Sequence, residues 1–452
     1  MALAEACEAA QDPGRIGAEV AALKNARDNI TNFVHIARVY AIILGTVGLG
    51  VACLLYRAEN GASPLWDLLV VALAALLIGA SQHQLGGAGH EATHFSLFRN
   101  RHLNELASDW LCMFPLYATT YQFRLHHLAH HQFVNDPARD PDISQLRDSG
   151  HDLDFPMPQT DILKALFRQL WLPNLIRYAL VRARYSAIGV DHNPYHRTQT
   201  TAGPGPEVIV GLYAVVIPLT LNTVGLWVGP SATAAAFLIV GAVAVAALAM
   251  CREQSFKASL LRPVVSHKMT AIGRVAFFTL LYASLSATEA ATGAPVWGYF
   301  AVLWILPLFT TFPFFMIMRQ WVQHGNADRG RLTNTRIFLV NPLLRYAVFP
   351  FGMDYHLPHH IYAAVPHYKL PDLHALLLKR DAAYAREAVV VDGYFRSQSG
   401  EHPSVLHVLA AGYTPHTQDV FIASDTLDDA DIEDPAKIRL AEAASRAAAS
   451  HA

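Results

Sequence analysis

Charged positions disappear from this chain in long stretches. Val39–Tyr56 is eighteen residues without one, Leu68–Gly89 is a second such run, and Val208–Cys251 continues for forty-four residues. One bilayer crossing needs about 20 apolar residues, so the longest run suffices for two, and Gly229-Pro230 in its middle supplies the turn. Val275–Thr288 and Val296–Met318 form a further pair, joined by the short connection ATGAP at 291–295. The pattern predicts six crossings, paired as three hairpins. The first run begins too far from Met1, and without a small-residue cleavage site, to read as a secretory signal.

That patterning explains a composition of 53% hydrophobic and 15% charged residues, where a soluble domain carries about 25% charged. The expected fold is an all-α, polytopic membrane helix bundle with a helical cap on one side. Orientation follows from Lys and Arg in the short loops. Loop 252–274 carries Arg252, Lys257, Arg262, Lys268 and Arg274 against the acid Glu253, while Arg57 is the only basic residue in connections 57–67, 229–231 and 289–295. Loop 252–274 is therefore expected in the cytoplasm, together with both termini and the long segment 90–207. The formal charge of −2 offers nothing to attract a nucleic acid. Four cysteines (Cys7, Cys53, Cys112, Cys251) form no CxxC pair, and Cys53 and Cys251 lie in apolar runs, as buried small residues rather than a disulfide framework. Residues 1–30 read as a polar N-terminal segment. Segment 161–187 mixes Leu, Phe and Trp with Arg168, Arg177, Arg182 and Arg184, which suits helices lying in the interface and equally well helices packed in a cytoplasmic cap. From about residue 417 the acidic, then Ala-rich tail reads as partly disordered.

Chemistry enters with the histidines. GHEATH (89–94) closes the second apolar run, RLHHLAHHQF (124–133) holds four histidines in six positions, and YHLPHH (355–360) comes soon after the last run. The spacings are HxxxH for His90 and His94, and HxxHH for both His127, His130, His131 and His356, His359, His360. On a helix, i, i+3 and i+4 share a face, so each box is expected to aim its imidazoles at one point. Eight histidines from three distant places exceed what one metal accepts, and two metals fit. Four spans separate the second box from the third, an even number, so all three return to the same side of the membrane. Imidazole serves Zn, Cu, Fe and Ni alike, so the spacing leaves the metal open. Pro358 lies inside the third box, where a helix interior would lose a hydrogen bond. That box is therefore expected at a helix start, with His356 in the preceding turn.

In this order, HEATHFSLF, FRLHHLAHHQFVNDPARDPD and DYHLPHHIYAAVPHYKLPDLH resemble the membrane fatty acid desaturase family, over roughly residues 65–375. The resemblance implies a desaturase-like domain over 31–380, followed by a cytoplasmic extension over 381–452. It implies a non-haem di-iron centre, O2 as co-substrate, a fatty acyl or related lipid chain as substrate, and electrons from outside. It also implies a ninth ligand, matched here by His324 in RQWVQHGNAD, and places Gln320 where some members have an Asn near the second iron. Asp140 and Asp142 could orient the second box through free imidazole N–H groups, although a Pro-rich acidic turn accounts for them equally well. Glu91 is a third carboxylate placed for such support. His126 abuts the second box; the other histidines default to surface or hydrogen-bonded roles. No HPGG-like haem signature, iron–sulfur cysteine set or GxGxxG motif is present, so a ferredoxin or cytochrome with its reductase is expected to deliver electrons in trans.

An aliphatic C–H bond has no acid–base handle, so an oxidant drawn from O2 must remove a hydrogen atom. Taking a second from the neighbouring carbon gives a double bond, and returning oxygen gives an alcohol. Desaturation is the first reading and hydroxylation the second. HEATH is also a literal HExxH, the zinc-protease signature with Glu91 as general base, but that reading leaves most of the other six box histidines unused. A histidine-based metal transporter would place its sites near the bilayer midplane, whereas these boxes flank the spans. In the last span, Trp304, Phe309, Phe312, Phe314 and Phe315 are candidate walls of an apolar slot.

Overall fold

The computed structural model describes residues 13–190, 193, 195, 205–256 and 259–411. Its elements begin with α1 (Pro13–Asn25) and the long helices α2 (Thr31–Glu59) and α3 (Leu65–Thr93). Shorter helices follow: α4 (Arg101–Ser108), α5 (Thr120–Gln132), α6 (Pro141–Ser149), α7 (Gln159–Arg168) and α8 (Leu172–Ala183). Four more long helices come next, α9 (Pro206–Val228), α10 (Pro230–Met250), α11 (His267–Thr292) and α12 (Val296–His324). The remainder comprises β1 (Ile337–Leu339), α13 (Pro342–Val348), α14 (His356–Ile361), α15 (Leu370–Arg380), α16 (Ala382–Glu387), β2 (Val390–Asp392) and α17 (Val405–Ala410). Six helices (α2, α3 and α9–α12) are long and apolar enough to cross a membrane. Leu44, Leu226, Trp227 and Met250 point outward, each more than two-thirds exposed. Only lipid would cover such a face.

Local sequence explains the joints. Gly229 takes φ of +83°, a conformation that a Cβ penalises, and Pro230 opens α10 where its missing N–H is not needed. Helix α3 is the pivot of the molecule: nearly every residue from Ile78 to Thr93 is buried, as a helix enclosed on all sides requires. Gly79 permits close approach to α12, since a Cβ there would lie 2.8 Å from Phe312 N. Nearby, Thr311 Oγ1 donates to Ala75 O at 2.5 Å. Helix α12 is not a straight rod. A π-helical turn covers Ala301–Ile305 and the helix breaks at Thr310, between Pro307 and Pro313. Both prolines remove a donor from the helical ladder, which accounts for the irregularity.

The short helices form a cap around the end of α3 that carries His90. Strands β1 and β2 pair in parallel, Ile337 opposite Val390, the one element of this kind among the described residues and unanticipated by the helical patterning. Tyr384, Val391, Val405 and Leu409 are buried in the cap's cores, and Val20 of α1 joins one of them. Phe167, Leu170 and Trp171, at the α7–α8 junction, are exposed beside Arg168. The tail expected to lose order from about residue 417 lies outside the described residues.

Candidate metal centre

Nine imidazoles meet beyond the end of α3. His90 lies in its last turn and His94 follows it; His127, His130 and His131 come from α5, His324 ends α12, and His356, His359 and His360 come from α14. They form two groups, His90, His94, His127, His131 and His359 in one, His130, His324, His356 and His360 in the other. Within each, the ligand nitrogens lie within 4.8 Å of one another. Neither HxxHH box therefore aims at a single point. In each, the i, i+4 pair stays together, while the middle histidine is rotated about 60–100° around the helix from those two and reaches the other group. His356 is the first residue of α14 rather than part of the turn before it. Pro358 thus falls in the first helical turn, where N–H groups have no intrahelical partner.

The geometry fits shared cations. His324 Nε2 lies 3.0 Å from His356 Nε2 and 3.2 Å from His130 Nε2, and His360 Nε2 lies 3.2 Å from His356 Nε2. In the other group, His359 Nε2 is 3.2 Å from His131 Nε2. Nitrogens about 2.1 Å from one ion and at right angles stand about 3.0 Å apart. Both ring nitrogens of His90 and of His94, and Nε2 of His127, are buried with no hydrogen-bond partner, which is costly unless something else takes their lone pairs. Burial, reinforced by neighbouring imidazoles, holds His94, His127, His131, His356 and His360 well below the ordinary histidine range and brings His359 to about 3. Neutral imidazole is the form that ligates a metal.

Carboxylates support the set unequally. Asp140 accepts from His130 Nδ1 at 2.9 and 3.1 Å, and also from the backbone N–H of Asn135 and of Asp142, each at 2.9 Å. Burial lowers the His130 pKa, but Asp140 and Asp142 outweigh it and raise it to about 9. Asp142 pairs with His126 at 2.6 Å and stands 3.9 Å from His130 Nδ1; His126 joins neither group. His324 Nδ1 faces Asn334 O at 3.1 Å. Glu91 is tied elsewhere: Oε2 accepts from His367 N at 2.8 Å and Ser96 Oγ at 3.1 Å, while Oε1 is 3.7 Å from His90 Nδ1, beyond hydrogen-bond range. His90 and His94 share their group with three further imidazoles, and the Glu91 carboxylate anchors a loop, which is not the arrangement of an HExxH protease. Gln320 accepts the Tyr178 hydroxyl and lines a cavity with His130 and His356.

Other residues that hold the site were invisible in the sequence. Arg124 of α5 donates to Thr93 O at 3.0 Å and Ala92 O at 2.7 Å, and pairs with buried Glu105. It locks the last turn of α3 onto α5, so that His90 and His94 face His127 and His131. Its pairing partner is nineteen residues away and no local pattern marks either. Of the aromatics expected as slot walls, Phe312 lines the cavity beside the histidines. Trp304 lines a separate apolar groove with Phe277 and Leu303. Phe309, Phe314 and Phe315 line neither.

Known proteins bear on this geometry. The profile of the family described as fatty acid desaturase matches residues 66–260 and 253–390. Dihydrorhizobitoxine desaturase of Bradyrhizobium elkanii is 30% identical over 124 residues, 27% of this chain and 32% of that protein. The delta(5) fatty acid desaturase fat-4 of Caenorhabditis elegans is 36% identical over 70 residues, 16% of each chain. The chain thus spans about a third and about a sixth of the lengths of these two relatives.

Proposed function

The chain belongs to the fatty acid desaturase family, and from that premise we propose that it is a membrane oxidoreductase that uses O2 and externally supplied electrons to desaturate an aliphatic chain of a lipid or related molecule. The observation that carries this reading is the division of nine imidazoles into a group of five and a group of four. Two iron ions suit this donor set, one held by His90, His94, His127, His131 and His359, the other by His130, His324, His356 and His360. When bound, the iron pair supplies from O2 an oxidant able to remove a hydrogen atom from an unactivated carbon. The chain's own residues orient and enclose. Asp140 fixes the His130 ring, as carboxylates beside metal-bound imidazoles do. Arg124 holds the first box against the second, and Gln320, with Tyr178, is placed to hold a water on the four-histidine side. Burial of the ligand rings keeps bulk solvent from the reacting chain.

Both relatives are named as desaturases, which favours desaturation over hydroxylation. The basic loop 252–274 supports a cytoplasmic cap with both termini on that side, where a ferredoxin or cytochrome can reach it. Two measurements test the reading together: metal analysis of iron-replete protein, and lipid and small-metabolite profiling of cells with and without the gene. The expected result is two irons per chain and a product lighter than its substrate by two hydrogens. A reproducible single zinc would overturn the metal assignment. A product heavier by one oxygen would move the reaction to hydroxylation.

A further inference from the structure

The cavity bordered by His90 and His127 of one histidine group and His130 and His356 of the other holds positive charge that the metal set does not use. Arg182 of α8 and Arg319 of α12 both line it. Arg182 is only 8% exposed, and among the described residues its guanidinium makes no ion pair and donates no hydrogen bond. Its neighbour is the Phe312 ring, 4.7 Å from guanidinium carbon to ring centroid. Arg319 Nη1 meets the Met353 sulfur at 2.6 Å, and its Nε is buried without a partner. Gln145 of α6 also lines the cavity with Nε2 buried and unpartnered. Among the described residues the only acid in the lining is Asp142, which pairs with His126 at 2.6 Å and acts at longer range on Arg319. Burial, with Arg319 nearby, brings Arg182 down to about 10. Two cations and a buried amide from three helices thus point unused donors into one small space. A buried guanidinium with no ion-pair partner, as at Arg182, is expensive, and a planar fork of donors matches a carboxylate or phosphate.

Dimensions limit what carries that anion. About 40 Å³ of the cavity is open to the centre of a water molecule, room for roughly three waters at 10–15 Å³ each. The groove lined by Tyr40, Val47, Phe277, Leu281, Leu303 and Trp304 offers about 450 Å³ in the same measure, yet shares no lining residue with the cavity and contains no histidine. A long acyl chain fits the groove but is not led from it to the imidazoles. We infer that the metal-side cavity takes a compact organic anion, its oxyanion group held by Arg182, Arg319 and Gln145, so that the carbon to be oxidised lies a few bonds from the charge. This rests on the oxidoreductase reading above and narrows its substrate to a short carboxylate or phosphate ester rather than a long-chain lipid.

Calorimetric titration of the full chain in lipid nanodiscs tests this, with propionate, neutral propionamide, methyl phosphate and palmitate as probes. Propionate or methyl phosphate is expected to bind at least tenfold more tightly than propionamide, and whichever binds more tightly identifies the anion. Arg182→Gln should weaken that binding tenfold or more, and Arg182→Lys should restore part of it. Arg319→Gln gives an independent variant, and the comparison of anion with amide on the unaltered protein stands even if both variants fail to fold. Equal affinity for propionate, methyl phosphate and propionamide overturns the inference, as does palmitate displacing propionate with higher affinity. Iron content measured on the same samples separates the two claims. Protein that holds two irons but ignores the anions loses this inference alone, whereas protein that binds anions but no iron loses the oxidoreductase reading alone.

Discussion

Replacing Asp140 by Asn tests how the second metal position is held, because that carboxylate has two opposed effects. It fixes the His130 ring through contacts of 2.9 and 3.1 Å, and losing such a partner lowers metal affinity about 10–100-fold, or about 1.4–2.8 kcal/mol. Together with Asp142 it also raises the pKa of His130, in the metal-free protein, to about 9. A metal arriving at pH 7 must then displace a proton held about 2 units above ambient pH, which costs about 2.7 kcal/mol. The sign follows directly. Below pH 9 protons compete at His130, so unaltered protein should bind metal at this position more tightly as pH rises, about tenfold per unit until pH 9. Asp140→Asn removes the ring anchor but only part of the pKa elevation, because Asp142 remains, so its defect should be smaller at pH 7 than near pH 9, where it should reach about 10–100-fold. The backbone N–H groups of Asn135 and Asp142 meet different oxygens of Asp140, so the amide keeps an acceptor for one of them, and a thermal melt of the variant checks that the fold survives. Competition titrations with zinc and a chelator at pH 7, 8 and 9 measure this. A defect that is constant across the range, or that shrinks as pH rises, refutes the reasoning.

Three other perturbations follow from the packing. Gly79→Ala places a Cβ 2.8 Å from Phe312 N, and overpacking of about 1–3 kcal/mol should lower the melting temperature in detergent; an unchanged melt would show that α3 and α12 can separate freely. Arg124→Met strands Glu105, which is 3% exposed, at about 3–5 kcal/mol. Adding Glu105→Leu should restore most of the loss, and a stable single variant would count against the pairing. For topology, cysteines at Gln254 and Ala291, both exposed, in a cysteine-free background should label from the cytoplasmic and the opposite side respectively. Ser259 in the same loop is buried against Tyr121 and is unsuitable. Labelling of both from one side would mean that the number of crossings between them is wrong by one.

The spans and the three boxes were legible because both are local signals. A run such as Val208–Cys251 declares its preference for lipid whatever surrounds it, and Gly229-Pro230 marks its turn within two residues. HxxxH and HxxHH likewise follow from one helix alone, and the resemblance of the surrounding residues to desaturases extended that to His324. The same local view misread the aim of each HxxHH box, since which face of α5 or α14 meets which partner depends on how those helices are rotated against α3 and α12.

Sequence by itself therefore determined which segments enter the membrane, which imidazoles are available, and that they return to one side. Tertiary structure alone decided the partition. His130 meets His324 across 194 positions and His131 meets His359 across 228, so membership of each group is a property of packed helices rather than of any box. It alone supplied Arg124 for Glu105, and gathered Arg182, Arg319 and Gln145 around one cavity. The physical reason is one of range. Hydropathy and helical period act over a turn or a span, whereas the cost of a buried charge or an unpartnered nitrogen is settled only by what the rest of the fold places beside it.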